Sequence, residues 1–115
     1  MANKFRNEMV VKVGDVEILL RPSFENCANL EAALGYGLPS LAFALAKQKL
    51  PTLTEVAKVI FFCQAEKKLT LEQIWDLMMV EGVASSTQVL IFIGQITAGD
   101  KTQVAPTDSE LKKNP

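Results

Sequence analysis

The chain has 115 residues, 49% of them hydrophobic and 22% charged, with 12 basic residues against 13 acidic ones. That composition excludes a disordered chain, and the near-zero net charge of −1 excludes a strong field for gathering nucleic acid or an anionic membrane. The length fits a single domain with one core.

The opening Met1-Ala2-Asn3-Lys4-Phe5 lacks the apolar core of a signal peptide. Residues 8–20 read as a β-hairpin. Gly14-Asp15 is a turn dipeptide, and the flanking runs alternate. Val11 and Val13 share one face before the turn; Val16, Ile18 and Leu20 share one after it. An isolated hairpin is marginal in water, so this one must pack on something. Arg21-Pro22 ends the second strand, since proline donates no ladder hydrogen bond.

Ser23 is placed to cap a helix running to Leu34, with Gly35 as its stop. Its expected apolar stripe is Phe24, Cys27, Leu30 and Leu34. Glu31 lies beside that stripe; the expected place for it is the stripe's edge, with a partner contact or the capping of a neighbouring helix as alternatives. Gly35 to Pro39 then turn the chain into a short second helix that ends near Lys47 to Lys49. Three capping-box patterns follow: Thr52 with Glu55, Thr70 with Gln73, and Ser85 with Gln88. They predict helices to about Lys67, to Glu81 before Gly82, and to about Thr97 before Gly99. The run Val89 to Ile93 also suits a strand by propensity, and the cap pattern before it favours helix. The fold class is therefore α+β: an N-terminal hairpin, then a bundle of four to five short helices over residues 1–99, then a flexible polar tail over 100–115.

Chemistry is scarce. The chain has no histidine, which removes the commonest general base and most transition-metal sites. Cys27 and Cys63 read as reduced, small apolar residues. Glu72 and Asp76 are one turn apart and read as solvated helix charges. No apolar run approaches the roughly 20 residues of a membrane span. The expectation is a non-enzymatic, cytoplasmic protein with no cofactor, no metal, no nucleic acid and no membrane partner. Its apolar supply is generous. Ile60-Phe61-Phe62 and Leu90 to Ile93 are apolar all round, so one face serves the core and the rest should meet another chain. For Trp75, Met78 and Met79 core filling is the commoner role, but methionine also suits adaptable binding. The candidate partner contacts are Phe43, Phe62, Trp75, Met78, Met79 and Phe92.

The order of parts resembles the phage tail assembly chaperones of the gene-transfer-agent type. The resemblance rests on Met1 to Lys4, the hairpin over Val10–Leu20, Leu30-Glu31-Ala32-Ala33-Leu34-Gly35, Leu38-Pro39-Ser40-Leu41, Ala57 to Phe62, and the segment Leu71–Gly82. It spans about residues 1–98 and carries no catalytic signature. The chain departs from the family in being bulky and apolar at residues 89–93. The resemblance implies an assembly factor in the host cytoplasm that holds the long tape measure protein in solution while tail tube subunits polymerise. It implies the tape measure protein as partner, then the tail tube protein; self-association or a partner helix is what the apolar surplus itself suggests. The alternatives are a minor structural tail or connector component of the virion, and a small regulatory, antitoxin-like module.

Overall fold

A hairpin turn sets the first two elements. In a computed structural model, which describes residues 7–82 and 84–98, β1 (Met9–Val13) and β2 (Val16–Leu20) pair antiparallel around Gly14-Asp15. The register places Val11 opposite Ile18 and Val13 opposite Val16. Val11, Val13, Ile18 and Leu20 form one buried face, as the alternation requires. Each such side chain, fully buried, is worth roughly 1.5–3 kcal/mol, which is what holds an otherwise marginal hairpin.

Five helices follow: α1 (Phe24–Leu34), α2 (Leu38–Ala46), α3 (Leu53–Cys63), α4 (Leu71–Glu81) and α5 (Ala84–Ala98). The expected α+β architecture is what the chain adopts, and residues 86–97 are helix. α1 packs on α3, α3 on α4, and α2 on α5, while β1 lies against α4 and α5. One core joins them, with Leu30, Val56, Ile60, Ile74, Met78, Val89, Phe92 and Ile93 at its centre. The expected tail over 100–115 and the stop at Gly99 lie outside the described residues.

Two of the three capping boxes form. The Thr52 and Thr70 hydroxyls accept the Glu55 and Gln73 amides, and each of those side chains accepts the cap amide in return. Ser85 does not cap. It lies inside α5 and is fully buried, and Gln88 is recruited elsewhere. Gln88 Oε1 accepts from Lys12 N at 2.8 Å and its Nε2 donates to Lys12 O at 2.9 Å. The side-chain amide thus pairs with a backbone that faces away from β2.

α3 also ends about four residues earlier than expected. After Cys63 the chain turns extended and meets the hairpin. Gln64 bridges to Leu20, Arg21 N donates to Cys63 O at 2.7 Å, and Ala65 N donates to Leu19 O at 2.8 Å. The backbone bonds offered by β2 outcompete further helical turns. Phe24 corrects the expected α1 stripe, being 89% exposed. At 3.6 residues per turn it falls roughly 100° from the Leu30–Leu34 line.

Gly14 adopts φ +62°, and a Cβ built there would lie 3.2 Å from Leu77 Cδ2 and 3.4 Å from Leu77 O. Gly14→Ala is therefore expected to cost about 1–2 kcal/mol, from left-handed strain plus displacement of α4. Urea unfolding of the variant measures it.

Candidate functional site

The helix–corner–helix of α1 and α2 is built around Glu31. Gly35 caps α1 in the left-handed region, donating its amide to Glu31 O. Gly37 precedes α2 and has no side chain to cap it. Glu31 reaches across instead, its Oε2 accepting the Leu38 amide at 2.7 Å. The acidic group thus serves a helix N-terminus, where donors are unpaired and negative charge is favoured. Half-buried beside the stripe, Glu31 plays the neighbour-capping role from there.

Tyr36, at the same corner, donates its hydroxyl to Glu55 Oε2, tying the corner to the first turn of α3. Lys58 Nζ, 3.5 Å from Ala33 O, adds a second tie from α3 to α1. Burial, then the bond to Glu55, pushes the Tyr36 hydroxyl up to about 12. Burial works against ionisation of Glu55, but hydrogen bonds from Tyr36 and Thr52 outweigh it and hold the carboxyl below its usual range. The raised tyrosine contributes stability that is present below pH ~10 and lost as pH rises towards the folded value. The depressed carboxyl contributes stability present above pH ~4.3 and lost as pH falls through its folded value. Because Tyr36 is the single tyrosine, tyrosinate absorbance of the native protein is expected to titrate near pH 12, against about 10 in urea.

The six candidate contact residues separate into core and surface. Met78 and Phe92 are fully buried, so neither faces a partner. Both fall on the sides of α4 and α5 that meet the hairpin and α3. The expected surplus at Ile60 to Phe62 and Leu90 to Ile93 is largely absorbed as well. Phe61 and Phe62 are half-buried and stack edge-on, with ring centroids 4.8 Å apart. Of the second run only Ile91 is exposed. Phe43 remains 63% exposed, with Lys47 Nζ 4.6 Å from its ring centroid. Met79 is exposed, and Trp75 is half-buried.

Trp75 lines an apolar cavity of about 280 Å³ between α3 and α4, walled by Thr54, Ala57 and Leu71 and rimmed by Lys58, Glu72 and Asp76. Phe43 lines a different groove, among α1, α2 and the end of α5, with Cys27, Leu38 and Ile96. The structure therefore puts Trp75 and Phe43 in two separate places, and Phe62 and Met79 line neither. Sequence reasoning missed Val80, Leu50 and Phe24 as exposed apolar residues. Helical phase would have found Val80, which falls off the face marked by Ile74 and Met78.

Among the described residues, no group of three or more His, Cys, Asp or Glu side chains is placed to hold a metal ion. No single helix there is long and apolar enough to cross a membrane. What the surface offers chemically is shape and apolar contact: a cavity for an inserted side chain, with charges of both signs at its rim. No family model, curated protein or solved structure matches the chain.

Proposed function

We propose that the chain is a tail assembly chaperone that holds helical, apolar stretches of a tape measure protein until tail tube subunits take its place. The observation that carries this reading is the Trp75 cavity. At about 280 Å³ it lies just below the size usual for small-molecule sites, and its lining is apolar. A partner helix can anchor one apolar side chain there, with its own charges paired against Lys58, Glu72 or Asp76. Weak single contacts suffice when many copies line one long chain. Self-association belongs to the second surface, where Phe43 is exposed.

The test is co-expression with the long tape measure protein, comparing its soluble fraction with and without this chain. Co-purification and a higher soluble fraction are expected. Trp75→Ala is expected to weaken binding by about 30-fold, the effect of a hot spot worth about 2 kcal/mol. Trp75 is the sole tryptophan, so its fluorescence reports the same event in the wild-type chain. If the long protein stays insoluble and this chain is instead found by mass spectrometry in purified particles, the chaperone reading fails in favour of a structural tail component.

A further inference from the structure

Cys27 lies on α1 and Cys63 ends α3, two helices that pack together, and both are free thiols. Each thiol lies near enough to shift the other's ionisation. Cys63 is fully buried, whereas Cys27 is half-exposed and opens into the groove shared with Glu31, Leu38, Phe43 and Ile96.

The backbone around the pair is pinned on both sides. Arg21 N donates to Cys63 O at 2.7 Å, and Asn26 Nδ2 donates to Arg21 O at 2.8 Å. Lys67 Nζ donates to Asn26 Oδ1 at 2.8 Å and to Phe62 O and Gln64 O at 3.0 Å each. The residues flanking each cysteine are thus joined to those flanking the other. The start of α1 and the end of α3 cannot easily separate the two sulfurs. A cation also sits close to them.

We propose that Cys27 and Cys63 form a dithiol modification site, in which Cys27 exchanges with small disulfides entering the groove and Cys63 resolves the product. The hydrogen bond from Cys63 lowers the Cys27 thiol below its ordinary value; the same bond, with burial, raises Cys63. The exposed member is therefore the nucleophile and the buried one stays protonated until the second step.

With oxidised glutathione, the Cys27 thiolate attacks one sulfur and breaks the S–S bond. One glutathione leaves and takes up the proton lost from Cys27. The Cys63 sulfur then attacks Cys27 Sγ, giving up its proton, with the Lys67 charge favouring the developing thiolate. The second glutathione leaves and accepts that proton. Two protein thiols lose two electrons and two protons, and one oxidised glutathione becomes two reduced ones. The packing of α1 on α3 and the ties between the flanking residues favour closure to an S–S bond of about 2.05 Å. The product ties α1 to α3 beside the groove that Phe43 lines.

The experiment treats the native full chain with oxidised glutathione and follows intact mass, linked peptides and melting temperature. Expected is a mass loss of two hydrogens, linkage of the peptides bearing Cys27 and Cys63, and a rise in Tm of about 10 °C. Cys63→Ala is expected to stop at a stable glutathione adduct on Cys27, and Cys27→Ser to take none. A wild-type adduct that never resolves, cross-links between chains, or thiols that stay inert until the protein unfolds would each overturn the proposal. Phenylarsine oxide supplies a check that needs no variant to fold. A pair in contact binds one arsenical per wild-type chain and resists displacement by a monothiol. Ready displacement means that the sulfurs do not act together, and sinks the idea.

Discussion

Phe92→Ala is expected to destabilise the protein by about 3–5 kcal/mol, measured by urea unfolding at equilibrium. Phe92 is among the largest fully buried side chains, and α5 carries it into the core shared with the hairpin, α3 and α4. Truncation removes most of an aromatic ring's contacts and leaves a cavity that neighbouring helices fill only in part. A domain of this size is stable by about 5–15 kcal/mol, so the loss is a large share of the total. The same truncation at Phe43, 63% exposed, is expected to change stability by less than about 1 kcal/mol. Equal losses at the two positions would mean that Phe43 is covered in solution by something, a second copy being the first candidate.

A second large effect is expected at Gln64, from polar rather than apolar loss. Its side chain is 1% exposed and pairs with Leu69 twice: Nε2 donates to Leu69 O at 2.8 Å, and Oε1 accepts from Leu69 N at 3.2 Å. The amide acts as a piece of backbone, closing the loop between α3 and α4. Gln64→Leu keeps the volume and strands both Leu69 groups, each costing about 1–3 kcal/mol if it stays dry. The expected total is about 2–6 kcal/mol, with early loss of amide-exchange protection at Leu69 and Thr70. If protection at those amides survives, they have found other protein partners and the smaller figure applies.

Local signals account for what was legible in the sequence. The hairpin follows from Gly14-Asp15 and the alternation around it, and α1, α3 and α4 begin where Ser23, Thr52 and Thr70 place them. What was not legible depends on groups far apart along the chain. Nothing near Gln88 says that its amide is claimed by Lys12, so Ser85 and Gln88 look like a cap. Nothing near Cys63 says that β2 ends the helix there. Glu31 was an intermediate case. Its position beside the stripe was visible, but not that Gly37 leaves the next helix without a side-chain cap. Among the candidate contacts, apolar character alone did not separate Met78 and Phe92 from Phe43 and Met79. In a helix that is apolar on most sides, only its packing decides which side is wet.

The clamp between Lys12 and Gln88 has a consequence in time. The two residues are 76 positions apart. At about 5–20 residues per second, a ribosome needs roughly 4–15 s to make the stretch between them. For that interval the nascent hairpin exists without the helix that holds its outer strand, although a hairpin itself closes within microseconds. A chain interrupted before α5 would expose Val11 and Val13 together with an unguarded strand edge. Late release of α5 is therefore the step that commits the molecule. Slow codons between Leu20 and Ala84 should raise the fraction lost to aggregation, while the same codons ahead of Met9 should not.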